Sequence, residues 1–444
     1  MQTTFGRGRR ALLAATLAAV VAAGAVGCSS GDSDEDAGGE VTLVLNTFGG
    51  GTAFAYDDVI PEFEAANPGI KVDYRIVSER FDDQFRPQLL QWLEAGSGAG
   101  DVVGIEEQGI GELMALPEYW TDLTQYGLDA RKTDFPEWKW NLGVDADGKL
   151  AALGTDVGGM AMCYRKDLFE KAGLPTDRAE VSALWPTWED FTKVGEGFKG
   201  KAGDAKFIDS PNTIYNVRMI QEAGAADGLT YFDQQGGYIL DKTPAVRTAF
   251  DYVMELQSKG LLAGLRNWSD EWNAGMLSGG FATIGCPSWM LGVIQGNSGE
   301  ENKGNWDVAS VPGGSGNWGG SWLGVPTQSE HPEEAAKLVE FLTGKQGQVG
   351  AFKKGGNFPS SVSGATDTEV KAAVNPYFSD APTGQIFGDS VASFKPVYFG
   401  KYHSAVRAVV EEVILGIIEG TYSADEGWGE FVKQGKQVVD EMGG

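Results

Sequence analysis

An α/β fold built as two globular units is predicted for this chain, and three observations carry the prediction. Strand and helix patterns alternate through residues 41–106, the arrangement that makes a sheet with helices on its faces. The chain has 444 residues, more than one core of ordinary size takes up. Hydrophobic residues make up 42% of it, the level of a folded globular protein.

VTLVLNTF, residues 41–48, is a short apolar strand. AFAYDDVIPEFEAANP (53–68) sets Phe54, Val59, Phe63 and Ala66 near helical spacing, and Asn67-Pro68-Gly69 stops the helix. Ile70, Val72, Tyr74 and Ile76 alternate as in a strand. In RFDDQFRPQLLQWLEAGS (80–97), Phe81, Phe85, Leu89 and Trp92 share a helical face, with Pro87 as a point of kinking. DVVGI (101–105) is another short buried strand. This β-α-β-α-β order predicts a largely parallel sheet. DADGKLAALG (145–154) reads as a tight turn feeding a strand. Its start is like a calcium loop, but Lys149 stands where a third oxygen ligand belongs and no closing Glu follows. AMCYRKDLFEKAGLP (161–175) is strand then helix, ended by Gly173. WPTWEDFTKVGEGF (185–198) is a helix with acids in its first turn. Pro332 and two glutamates open a helix in HPEEAAKLVEFLTG (331–344), and Gly344 closes it. YFGKYHSAVRAVVEEVILGIIEG (398–420) reads as one long helix.

The N-terminus reads as an address. Arg7, Arg9 and Arg10 precede an apolar run from Ala11 to Val26, shorter than the ~20 residues of a membrane helix. Ala25-Val26-Gly27-Cys28 resembles a bacterial lipobox, which makes residues 1–27 a lipoprotein signal peptide and Cys28 the lipidated residue that anchors the chain to the membrane. SSGDSDEDAGGE (29–40) is too polar to fold, so residues 28–40 are expected to be a flexible acidic tether rather than a metal site. Cys163 and Cys286 are the two other cysteines. Outside the cytoplasm they could form a disulfide; two buried thiols are the alternative. Net charge is −27 with no basic stripe, which argues against nucleic acid as a partner.

Several segments in order now resemble a known family: the lipobox and acidic spacer, PEFEAANPGIKV (61–72), LEAGSGAGDVVGIE (93–106), CYRKDLFEKAGLP (163–175), GMLSGGFATIGCPSWM (275–290) and TQSEHPEEAAKLVEFL (327–342). They are similar to the family 1 extracellular solute-binding proteins of ABC importers. EVSALWPTW (180–188) and GNWGGSWLGVP (316–326) look most like the cello-oligosaccharide-binding lipoproteins of actinobacteria. The resemblance implies a two-lobed periplasmic-binding-protein fold, type II and maltodextrin-binding-protein-like, with a hinge and an interlobe cleft. One lobe would comprise residues 41–153 plus 313–360 and the other 154–312 plus 361–444. Crossings are expected near 154–159, at Val311-Pro312 and near 358–365. The resemblance further implies an oligosaccharide ligand, membrane permease subunits as partners, a monomer, and neither a cofactor nor a bound metal.

A sugar cleft needs aromatic rings for the apolar ring faces and acids or amides for the hydroxyls. VPGGSGNWGGSWLGVP (311–326) places Trp318 and Trp322 in a glycine-rich run, and permissive backbone there lets a ligand approach. Trp318, with Asn317 and Gly319 beside it, is assigned to stacking, and Trp322 to the core. Trp289 is the second stacking ring; Trp268 and Trp272 read as core. Thr47 and Phe48 end the first strand, Glu79 follows the second, and Glu106 follows the third, at the edge where crevices form. Asp156 lies at a crossing. Ser210 and Asn212 open a helix, where capping is the alternative role. Tyr398, Tyr402 and His403 begin the long helix near 398–420, and Tyr398 is taken as the cleft residue. A secreted glycosidase is the rival reading, since paired carboxylates and tryptophans also describe such enzymes. No GxSxG nucleophile motif occurs in residues 41–444, and no GxxxxGK[ST] phosphate loop occurs. Other rival ligands are an α-linked sugar, a polyol and glycerol phosphate.

Overall fold

The computed structural model describes residues 40–50 and 53–443. The signal peptide, Cys28, residues 29–39 of the tether and Gly51 lie outside the described residues. Nine strands are described: β1 (Val41–Phe48), β2 (Ile70–Ser78), β3 (Val102–Glu106), β4 (Ala152–Gly154), β5 (Met160–Arg165), β6 (Lys206–Ile208), β7 (Phe281–Pro287), β8 (Trp306–Ala309) and β9 (Ser321–Gly324). They form a five-stranded sheet of order β2-β1-β3-β9-β4 and a four-stranded sheet of order β6-β7-β5-β8.

Each sheet has its own apolar core, and each sheet with its core is a lobe. The first core gathers Leu43, Leu45, Val103, Ile105 and Trp322 with the helical residues Phe63, Leu89, Leu113 and Leu338. In the second lobe β5 is buried along its whole length. Its even residues Met160, Met162 and Tyr164 serve the core on one face, and Ala161 and Cys163 serve the core on the other. That is the period-two division of a strand covered on both sides.

In the first sheet the parallel pattern holds for β2-β1-β3 only. β9 runs antiparallel to both β3 and β4, because it rejoins the first sheet after the chain has built the second. The second sheet is antiparallel except at β6–β7. The first helix, Ile60–Ala66, is shorter than its spacing suggested, with Phe54 and Tyr56 packed in irregular chain before it. Residues Phe81–Phe85 wind as a π turn, after which Pro87 opens the helix Arg86–Ala95 rather than kinking it. The C-terminal segment holds two helices, His403–Ile418 and Ala424–Glu441, the second started by a capping box of Ser423 and Glu426.

Three segments cross between the lobes side by side. Val157 N–H donates to Phe358 O at 2.8 Å, Thr155 N–H to Ser321 O at 2.8 Å, and Trp318 N–H to Gly158 O at 2.9 Å. The second crossing thus runs through 316–320, while Val311 and Pro312 remain on the second lobe, against its core and Gln221.

Cys163 and Cys286 are joined as a disulfide between the paired strands β5 and β7, fully buried, with Cα atoms 5.4 Å apart. It closes a loop of 123 residues, and a bridge over so long a loop stabilises chiefly by restricting the unfolded chain. Adding a thiol reductant during equilibrium urea unfolding is therefore expected to lower the unfolding free energy by about 2–4 kcal/mol. Superimposable curves with and without reductant would show that the bridge contributes nothing.

Candidate functional site

A cleft of about 430 Å³ lies between the two lobes, within the range of small-molecule sites. Phe48, Phe54 and Phe81 line it from the first lobe, and Trp268, Trp289 and Trp318 from the second lobe and the crossing.

The tryptophans form one wall. The Trp268 and Trp289 rings stack at 6.1 Å with planes 19° apart, and Trp318 meets Trp289 edge-on at 5.8 Å. Trp289 Nε1 donates to the Trp318 carbonyl at 2.9 Å, which locks the two together. Trp268 holds its backbone at φ 66°, the left-handed region that a bulky residue adopts only under constraint. The glycines of the crossing permit the arrangement. A Cβ on Gly158 would run into the Trp318 carbonyl, and one on Gly320 would lie 2.6 Å from the Asp156 carbonyl. Trp318 is half-buried with its ring in the cleft, and Trp322 is fully buried in the first core.

Behind the wall lies a buried polar group. Asn317 Nδ2 donates to both oxygens of Glu107, at 2.7 and 2.8 Å, while its Oδ1 accepts from Gly158 N–H at 2.8 Å. Asp156 Oδ1 accepts from Thr155 Oγ1 at 2.7 Å and from Ser321 N–H at 2.9 Å. Lys139 Nζ sits 3.3 Å from the centre of the Trp322 ring, fully buried. Burial pushes this lysine down to about 8 and the Asp156 and Glu107 carboxyls upward; the opposite charges between lysine and acids offset part of that.

The far end of the cleft is charged and joins the lobes. Arg407, on the helix His403–Ile418, donates from Nε to Asp82 of the first lobe at 2.7 Å, and Ser404 bonds the other oxygen of Asp82. Glu106 lies 3.7 Å from the same guanidinium. One turn along the helix, Glu411 accepts from Asn216 Nδ2 at 2.6 Å. Burial raises Asp82 and pushes Glu106 and Glu411 each up to about 7, with Arg407 as the largest opposing influence.

Of the residues singled out from sequence, Phe48, Glu79, Glu106, Asp156, Asn212, Trp289, Trp318 and Gly319 line the cleft. Four others do not. Thr47 points away from Phe48, as successive strand residues must, and donates to Arg75 O. Ser210 caps the helix Pro211–Ala225 and bonds Asn267, fully buried. Asn317 is the strut beneath Trp318. Tyr398, the fourth, pairs with Leu229 away from the cleft. His403, not assigned to the site, stacks on Tyr231 in the core. Trp272 is core, donating to Asp209, whereas Trp268, read as core, faces the cleft. Sequence reasoning passed over Asp82, Arg407 and Glu411. A signal existed for the last two: charges four apart inside the apolar run HSAVRAVVEEVILGII.

Residues 58–377 match the family model of bacterial extracellular solute-binding proteins. An arabinooligosaccharide-binding protein of Bacillus subtilis (strain 168) is 27% identical over 331 residues, covering 72% of this chain and 73% of the relative. A crystal structure of an extracellular solute-binding protein of family 1 is 36% identical, covers 90% of this chain and 99% of its own, and superimposes with a TM-score of 0.75. The ABC-transporter-associated binding protein of B. animalis subsp. lactis Bl-04, solved with β-1,6-galactobiose, is 20% identical with a TM-score of 0.77, covering 90% and 97%. The likeness at low identity shows the fold, two-lobed and of the periplasmic-binding-protein type.

Folded-state carboxyls held near 7 release stability as pH rises. Between the ordinary Glu range and pH 7 the folded chain binds more protons at Glu106 and Glu411 than the unfolded one, so stability falls with rising pH. Asp209, also near 7, acts in the same direction. His403, depressed by burial, acts oppositely below about 6.5. With the acids in the majority, the urea midpoint is expected to be higher at pH 5.5 than at pH 7.5, and Glu411→Gln is expected to narrow that difference. An equal or steeper difference in the variant would remove Glu411 from this account.

Proposed function

The chain belongs to the family 1 bacterial extracellular solute-binding proteins, and from that premise we propose that it is the oligosaccharide receptor of an ABC importer. The observation that carries the reading is the cleft between the lobes, with three tryptophans on one wall and buried acids and amides on the others. Apolar sugar faces lie on such rings, and hydroxyls bond such oxygens. The two lobes turn about the three crossings, close on the sugar and present it to membrane permease subunits. Lipid on Cys28 and the acidic tether keep the receptor at the outer face of the membrane. Binding, not bond cleavage, is the activity.

Cello-oligosaccharides are the favoured ligands, on the resemblance of GNWGGSWLGVP and EVSALWPTW. Arabino-oligosaccharides are the second reading, favoured by the names of the two relatives in Bacillus subtilis and Halalkalibacterium halodurans.

Tryptophan emission tests both. The purified protein is titrated with cellobiose, cellotriose, α-1,5-arabinotriose, β-1,6-galactobiose and maltotriose, beside Trp318→Ala. Cello-oligosaccharides are expected to give saturable changes at micromolar concentration, roughly −8 kcal/mol, with affinity reduced about tenfold or more in the variant, the worth of a stacked ring. Response to arabinotriose alone would replace the ligand and keep the receptor. Silence throughout, repeated by calorimetry, would remove the sugar class.

A further inference from the structure

Charge gives the cleft a second selectivity, one that rests on the oligosaccharide reading. Seven carboxylates and three guanidiniums line it, and among the described residues no lysine does. Each guanidinium already faces a carboxylate. Arg80 donates to Asp83 at 2.9 Å, Arg266 to Glu412 at 2.8 Å, and Arg407 to Asp82 at 2.7 Å. Glu79, Glu106, Asp156 and Glu411 remain in excess.

A second observation is independent of charge. Asn212 and Asn216 lie one turn apart on the helix Pro211–Ala225, 4% and 1% exposed, and both line the cleft. The Oδ1 of each is buried without a donor. Asn216 Nδ2 is already committed, to Asn212 O at 2.9 Å and Glu411 at 2.6 Å. Buried acceptors left without donors are costly, and a ligand hydroxyl supplies what they lack.

We infer that the end of the cleft formed by Glu106, Asn212, Asn216 and Glu411 is an acceptor-rich subsite, its one guanidinium, Arg407, being paired with Asp82, which takes a neutral sugar unit through its hydroxyl donors and turns away one that carries a carboxylate. An ionised carboxylate has no proton to give. It would lose its water, find no free cation, and face the excess acids at low dielectric. Selectivity of this kind comes from repulsion as much as from attraction.

The test uses cellobiose, maltose and β-1,6-galactobiose, each in three forms: the neutral disaccharide, the acid oxidised at C6 of the non-reducing sugar, and the primary amide of that acid. Binding to the purified protein is measured by calorimetry at pH 7.5. Within any set that binds, the neutral sugar and the amide are expected to bind at least ~10-fold more tightly than the acid. The amide matches the acid in size but brings donors and no charge. Glu106→Gln and Glu411→Gln are expected to narrow the gap between acid and amide, whatever they cost in neutral-sugar affinity, and near-UV circular dichroism unchanged from the parent protein shows that they fold. An acid that binds as well as its amide overturns the inference and leaves the receptor standing. So does an amide as weak as the acid, since shape would then be the cause. Silence toward all three sets removes the oligosaccharide reading and this inference with it.

Discussion

Backbone runs directly against backbone where the three crossing segments meet, and the rest of the cleft is arranged around that contact. Trp318 N–H bonds Gly158 O, and Val157 N–H bonds Phe358 O, so the crossing segments are held to one another directly through the main chain. Such close approach leaves no room for Cβ atoms at Gly158 or Gly320. Glycine here is a packing requirement. The strand it permits carries Trp318 to the cleft and Trp322 into the core, and the carboxyl of Asp156 is held between the two by Thr155 and Ser321. Asn317, braced by Glu107, fixes the backbone on which the Trp318 ring is carried.

The charged end of the cleft is a different physical problem. A buried ion pair is weak evidence of stability, because desolvation offsets most of the attraction. Arg407 and Asp82 come from different lobes, 325 positions apart in sequence. Their pairing therefore constrains how the lobes meet. Glu106 shows how little freedom such a group has. One of its oxygens caps the helix Glu107–Met114 through Gln108 N–H at 2.9 Å, while Arg407 lies 3.7 Å from that same oxygen. Helix start, cross-lobe contact and cleft lining share one carboxyl.

Local pattern made the first lobe's elements legible, since β1, β2 and β3 are short apolar or alternating runs bounded by turn residues. It also made Trp318 legible, because two large rings in a glycine run fit neither a core strand nor a disordered linker. What local pattern missed is long-range. Nothing near Asp82 announces Arg407, and the antiparallel return of β9 depends on a chain that has left and come back. Neighbouring residues also mislead: Thr47 adjoins Phe48, and Asn317 adjoins Trp318, yet extended backbone sends successive side chains opposite ways. Trp268 was misread because its direction follows from a left-handed backbone that the spacing of NWSDEW does not reveal. The helix Ala424–Glu441 was within reach, since Ser423 and Glu426 stand at capping-box spacing.

Closure and recognition draw on the same side chains. A ligand shifts a conformational equilibrium only by binding one state better than another. A sugar lying on Trp289 and Trp318 touches the second lobe and the crossing; to touch Phe48 or Glu79 as well it must span the cleft. Its contacts with Asn216 or Glu411 would fall on groups that pack against Arg407, and so on the residue that holds Asp82. Ligand contact and lobe contact are thus linked through one guanidinium and the carboxylates around it. A unit that satisfied the open acceptors would also complete the hydrogen bonding of that cluster, so the lobes-together arrangement gains most from the ligand that leaves fewest of its polar atoms unpaired.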